Sequence, residues 1–162
     1  MSEQSSLPGW DDYYMGIATA VQARANCIGR KVRAVIVVGD RIVSTGYNGT
    51  PDAMQNCIDG GCPRCLQRGT QFPSSTGYDI CYCVHAEQNA ILSAARHGIA
   101  VSEATIYSTL EPCITCIKEI RQIQSTRVVY KEPFEYQDPQ YQAAYEALKN
   151  SVGISLSQLE TL

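Results

Sequence analysis

The chain predicts an α/β protein, a three-layer α/β/α sandwich around a mixed central sheet of about five strands. Three observations carry this. A β-branched run at residues 32–38 is followed by Gly39-Asp40 and a second run at 41–47, the pattern of a hairpin. Beyond it, stretches of helical periodicity alternate with short apolar runs, giving helix, strand, helix, strand, helix. The 162 residues are 44% hydrophobic and 18% charged, which places the chain among globular proteins with one core rather than among disordered ones. The expected organisation is one domain over residues 1–162, with its motif-bearing part at about 13–130.

The elements follow in order. Residues 8–25 form the first helix, because Tyr14, Ile17, Ala18 and Val21 recur at helical spacing and Asp11 and Asp12 suit the positive end of its dipole. Asn26 to Gly29 end it. The hairpin leads into Asn48-Gly49-Thr50-Pro51, a turn sequence. Residues 52–82 show no sustained period, yet are too long for an inert connection in a compact domain. Residues 84–97 form the next helix, with His85 and Glu87 in its first turn, a small apolar face of Ala86, Ala90, Ile91 and Ala94, and Gly98 as its stop. A strand at 104–110 precedes a helix opened by Pro112 and running to about Gln124, with Cys113 and Cys116 at its beginning. A strand at 126–130, a helix at 138–150 and an edge strand at 154–156 complete the chain.

His85-Ala86-Glu87 and Pro112-Cys113-Ile114-Thr115-Cys116 carry the chemistry. Cys113 and Cys116 lie one helical turn apart and both can address one ion, and His85 adds a nitrogen from a facing helix. Three protein ligands leave the fourth tetrahedral position of zinc open, the arrangement of a catalytic site. Such an ion lowers the pKa of its water to about 7. Glu87 is not needed as a ligand. It is placed to take the proton from that water and to deliver it to a ring nitrogen and a departing amine. A closed structural zinc or a redox Cys-x-x-Cys is the bland alternative, and the free carboxylate argues against both.

These two motifs resemble the cytidine deaminase superfamily. Gly46-Tyr47-Asn48-Gly49-Thr50-Pro51, Gly61-Cys62-Pro63-Arg64-Cys65 and the run from Cys81 to Ala90 are similar to deoxycytidylate deaminases in particular. The resemblance implies a hydrolase that converts dCMP to dUMP and ammonia for thymidylate synthesis. It implies a homohexamer, activated by dCTP and inhibited by dTTP. It assigns Asn48 to a sugar hydroxyl and places Gly46, Tyr47 and Gly49 beside substrate or effector. It links Arg96 to phosphate, where a guanidinium suits bidentate contact. Tyr130, Thr109 and Glu111 are weaker candidates for the nucleotide pocket, Glu111 being more structural than catalytic.

Six cysteines remain, namely Cys27, Cys57, Cys62, Cys65, Cys81 and Cys83. Local spacing favours a second zinc on Cys62, Cys65, Cys81 and Cys83. The resemblance favours Cys27 and Cys57 with Cys83 or Cys81. The sequence does not choose, and six thiols suffice for more than one ion. Such a metal would order residues 52–82 beside the active site.

The N-terminal ten residues are polar, without the apolar stretch of a signal peptide, and no apolar run approaches the ~18 residues of a membrane span. A cytoplasmic protein is the expectation, and cysteines there point to metal before disulfides. The net charge of −3, with Arg30, Lys31 and Arg33 as the densest basic run, argues against a polynucleotide partner and leaves free nucleotides open. Two alternatives stand beside the free-nucleotide enzyme. One is a nucleic-acid base deaminase, because Thr109-Leu110-Glu111-Pro112-Cys113 also resembles tRNA adenosine deaminases. The other is a non-catalytic zinc or nucleotide-binding module.

Overall fold

The computed structural model describes residues 7–160. The elements are α1 (Trp10–Ala20), β1 (Arg33–Val38), β2 (Arg41–Tyr47), α2 (Pro63–Leu66), α3 (Ala86–Arg96), β3 (Thr105–Leu110), α4 (Ile114–Gln122), β4 (Arg127–Glu132), α5 (Pro139–Ser151) and β5 (Ser155–Gln158). The five strands form one sheet in the order β2-β1-β3-β4-β5. Strand β1 pairs antiparallel with β2 and β3, while β3, β4 and β5 run parallel. The directions follow from the connections. A two-residue turn at Gly39-Asp40, both with positive φ, reverses the chain between β1 and β2. Helices α4 and α5 provide the crossovers that parallel neighbours need.

Alternate residues of β1 serve the two faces of the sheet. Val35 and Val37 pack with Tyr14, Met15 and Ala18 of α1 and with Tyr107 and Val129. Ala34 and Ile36 pack with Ala86 and Ala90 of α3, Ile117 and Ile120 of α4, and Tyr145 of α5. The three-layer expectation therefore holds. The first helix is shorter than the periodicity suggests, because Val21–Arg24 tightens into a 3-10 turn before Asn26. Met15 is buried where Ile17 was expected to be, and Ile17 and Val21 pack at the margin. On the α1 face, Tyr107 donates to Asp11 at 2.7 Å, and Arg127 pairs with both Asp11 oxygens, tying the start of α1 to β3 and β4.

Two contacts position the functional helices. Helix α3 sits on β2 with no side chain between them at Gly46. A Cβ there would overlap the carbonyl oxygen of Ala86 and come within 2.5 Å of the Ala90 nitrogen. Ser44 fixes the same contact, its hydroxyl donating to the Ala90 carbonyl at 2.7 Å. Tyr145 in α5 is fully buried, and its hydroxyl donates to the Pro112 carbonyl at 2.7 Å, immediately before α4.

Gly46→Ala is expected to destabilise the fold by about 3 kcal/mol or more, since backbone atoms must move rather than a flexible side chain. Urea unfolding beside an exposed control, Gly16→Ala, checks this. No atom would lie within 4 Å of a Cβ at Gly16.

Candidate active site

His85 and Cys113 are the N-cap residues of α3 and α4, both extended, at ψ 158° and ψ 174°. His85 thus lies just ahead of the first turn, not within it, and Pro112 stands one residue before the cap. The reason is local. The Gln88 side chain accepts from the His85 amide at 3.0 Å, closing a capping box that holds His85 outside the helix. Glu87 and Cys116 occupy the first turns, so both helix N-termini, with their positive ends, converge on one point.

His85 Nδ1 lies 3.3 Å from Cys116 Sγ and 3.4 Å from Cys113 Sγ, and the three donor atoms fall within 4.8 Å of one another. A tetrahedral zinc with bonds of about 2.0–2.1 Å to nitrogen and about 2.3 Å to sulfur separates such donors by about 3.6 Å. The donor set fits zinc, with one position left over.

Hydrogen bonding from Cys116 holds the Cys113 thiol down at about 4 against the opposing effect of burial. Cys116 is pushed well above its ordinary value by that same bond and by burial. Burial would lower His85, but the Cys113 thiolate beside it takes the imidazole up to about 9. Metal binding displaces these protons.

Glu87 is 3% exposed. Burial raises its pKa, while the His85 charge and a hydrogen bond from Ser108 Oγ to Oε1, at 2.8 Å, act in the opposite direction. Its other oxygen faces Cys116 Sγ at 3.5 Å. A dry carboxylate with a raised pKa is suited to passing protons in both directions.

The donor set lies against a cavity of about 420 Å³, lined among others by Asn48, His85, Glu87, Glu111, Cys113 and Phe134. Arg30, Arg64, Arg68 and Tyr78 also line it. Arg64 is buried, its guanidinium donating to the Thr76 carbonyl and lying 4.9 Å from the Tyr78 ring centroid.

The remaining sequence candidates divide. Asn48 lines the cavity, and its amide bridges the Val32 N–H at 2.9 Å and the Arg30 carbonyl at 2.7 Å. Gly46 serves the α3 contact. The Tyr47 carbonyl accepts from Asn89 at 2.7 Å. Gly49 pairs with Val84 and has no room for a side chain against Asn26. Arg96 is exposed at the far end of α3 and is not among the residues lining the cavity. Tyr130 does not line it either. Thr109 accepts from the Arg33 amide at 3.1 Å. Glu111 is buried and accepts from the Phe134 amide and from Lys149, each at 3.1 Å, a structural role. Sequence reading missed Ser108, Arg64, Arg68 and Tyr78. Ser108 gives no signal in a strand, whereas Arg64 lay inside a quoted motif and was the one that could have been found. Cys27, Cys57, Cys62, Cys65, Cys81 and Cys83 gather in a separate cluster beside the cavity.

Fold and donor set place the chain among α/β domains that hold a zinc ion with one position kept free for chemistry. The sequence pattern of the cytidine and deoxycytidylate deaminase zinc-binding region matches residues 8–132, and the chain belongs to that family. It is 40% identical over 151 residues to the deoxycytidylate deaminase of Saccharomyces cerevisiae, covering 93% of this chain and 45% of that protein. To that of Mycobacterium phage D29 it is 42% identical over 127 residues, covering 77% and 96%. The chain spans less than half the length of the two yeast relatives it matches, 45% and 37%. Among solved structures, the dCMP deaminase of cyanophage S-TIM5 in complex with dCMP and dUMP superposes with a TM-score of 0.70 at 25% identity, covering 94% of this chain and 98% of that one.

His85→Ala and Cys116→Ser are each expected to remove one zinc ion per chain, whereas Glu87→Gln retains it. Elemental analysis of the purified variants measures this. Loss of zinc from the Glu87 variant would make that residue a ligand.

Proposed function

We propose that the protein is a zinc-dependent hydrolase that deaminates dCMP to dUMP and ammonia, supplying dUMP for thymidylate synthesis. The observation that carries this is the buried Glu87 beside a three-donor site, both at the wall of a cavity of about 420 Å³. Relatives named as deoxycytidylate deaminases support it, as does the bound dCMP and dUMP of the cyanophage structure.

His85, Cys113 and Cys116 would hold the ion. When bound, zinc supplies the Lewis acidity that makes water a nucleophile at neutral pH. Glu87 would take the first proton of the attacking water and pass it to N3, then take the second from the C4 hydroxyl and deliver it to the amine as it leaves. Its raised pKa suits a group that must both accept and donate protons. Ser108 holds the Glu87 carboxylate in place. Phe134 and Asn48 border the space for base and sugar. Arg30 and Arg68 give the cavity positive charge for a phosphate, a task the exposed Arg96 is remote from within one chain.

By this reading the protein works on free pyrimidine deoxynucleotides, with dCTP as activator and dTTP as inhibitor, in a cytoplasmic homohexamer. Among the described residues no helix is long and apolar enough to cross a membrane. The six-cysteine cluster is read as a structural zinc site.

Glu87→Gln is expected to lower kcat by about 10³-fold or more with zinc retained. Ammonia release from dCMP, CMP, deoxycytidine, dCTP and a cytosine-containing single strand, each with and without added dCTP and dTTP, tests the substrate. Turnover of dCMP is the expected result. Turnover of the strand alone would transfer the function to nucleic-acid editing, and turnover of none would leave a binding module.

Ser108→Ala removes a hydrogen bond that lowers the Glu87 pKa, so that pKa rises further. The ionised base is then lost at a higher pH, and the acid limb of the kcat/KM profile is expected to move up by about one pH unit. An unmoved limb would separate Glu87 from the rate-limiting protonation.

A further inference from the structure

The lobe containing residues 52–83 has a core of an unusual kind. Its buried cluster consists of Cys27, Cys57, Cys62, Cys65 and Cys83 with Cys81 packed against it, and no aliphatic or aromatic side chain belongs to it. Regular structure between Asp52 and Cys83 is limited to three single turns, Cys57–Asp59, Pro63–Leu66 and Tyr78–Ile80. Turns of this length do not persist alone, and a few small thiols bury too little apolar surface to order such a segment. A stronger interaction among the sulfurs is required.

Their spacing identifies it. The sulfurs form two sets of four, Cys27, Cys57, Cys65, Cys83 and Cys62, Cys65, Cys81, Cys83, with the atoms of each set within 4.8 Å of one another. Cys65 and Cys83 belong to both. Separations are 4.0 Å for Cys27–Cys65, 3.9 Å for Cys62–Cys81, 3.7 Å for Cys65–Cys81 and 3.9 Å for Cys65–Cys83. A disulfide would bring two sulfurs to about 2.05 Å. Four thiolates at about 2.3 Å around a zinc ion are about 3.8 Å apart. Two such tetrahedra sharing the Cys65–Cys83 edge account for every sulfur of the lobe.

We infer that the lobe holds a binuclear zinc–thiolate cluster. The sulfurs of Cys65 and Cys83 bridge two ions, Cys27 and Cys57 complete one, and Cys62 and Cys81 complete the other. This rests on the reading of the lobe as a zinc site and extends it from one ion to two. Loading forms eight Zn–S bonds and releases six thiol protons, leaving a net charge of −2 on the cluster. The surroundings suit that charge. The Ile28 and Tyr82 amides donate to the terminal sulfurs of Cys57 and Cys62, each at 3.4 Å. The Arg68 guanidinium crosses Gly29 beside Cys27. Both ions are four-coordinate and closed, as structural zinc is, and Cys65 and Cys83 take the bridging place that inorganic sulfide fills in an iron–sulfur centre. Cys83 lies two residues before His85, so the cluster also anchors the approach to α3.

The test is zinc per chain, by elemental analysis, in the wild-type chain and in the Cys113→Ser/Cys116→Ser double variant that lacks the first site. Three ions and two ions are expected. Two and one would overturn the cluster while leaving a mononuclear thiolate site. One and none would overturn both, and iron in place of zinc would overturn the assignment of the metal. Cadmium NMR of the exchanged wild-type protein decides the bridging without any cysteine substitution. Two all-sulfur resonances split by each other are expected, and unsplit resonances would exclude a shared sulfur.

Discussion

Burying a negatively charged sulfur or carboxylate is costly unless a cation or a set of hydrogen-bond donors lies against it, and this chain does so repeatedly between Cys27 and Cys116. Cys113, Cys116 and Glu87 are each less than a tenth exposed, within contact of one another, at the start of two helices. That concentration of acid groups is tolerable because His85 shares the space and because a divalent ion fits among them. The sheet and its covering helices bring those residues together. The bare contact at Gly46 lets α3 approach the sheet closely enough for Glu87 to reach Ser108 in β3, which joins the buried carboxylate to the middle strand of the sheet.

The fold was legible where local chemistry and tertiary structure agree. Strand β2 has the bounds that its alternation and its Gly39-Asp40 turn suggest, and α3 shows the expected small face of Ala86, Ala90 and Ala94. Helix ends were less legible. Capping geometry moved His85 and Cys113 outside their helices, and a 3-10 turn shortened α1. The segment at 52–82 could not be read at all from periodicity, because its order comes from sulfur positions set by chain segments far apart, Cys27 among them.

The site divides in the same way. Residues whose role depends on spacing, such as His85, Glu87, Cys113 and Cys116, were visible because two short motifs specify them. Asn48 was found, but its bonds to Val32 and Arg30 show that the same amide also shapes the loop that surrounds the cavity. Ser108 depends on how the sheet packs against α3, and Tyr78 on how residues 52–82 fold back on the cavity, and nothing in their immediate sequence announces it; Arg64 stood within Gly61-Cys62-Pro63-Arg64-Cys65 and was legible there. For the six cysteines, local spacing pointed to Cys62, Cys65, Cys81 and Cys83, and the resemblance to Cys27 and Cys57 with Cys83 or Cys81; the structure gathers the first four as one set and places Cys27, Cys57 and Cys83 in a second together with Cys65.

The C-terminal helix α5 lies beyond the family-matched region at 8–132, yet it reaches the ligand-bearing turn through Tyr145 on the Pro112 carbonyl and Lys149 on Glu111. Tyr136 adds a third link, its hydroxyl accepting from the Ile114 amide. A segment outside the matched region thereby grips the loop from which Cys113 departs. Substitutions confined to residues after 132 therefore have a route to shifting the pitch of that loop, and with it the separation of the three donor atoms, while His85, Glu87, Cys113 and Cys116 stay the same.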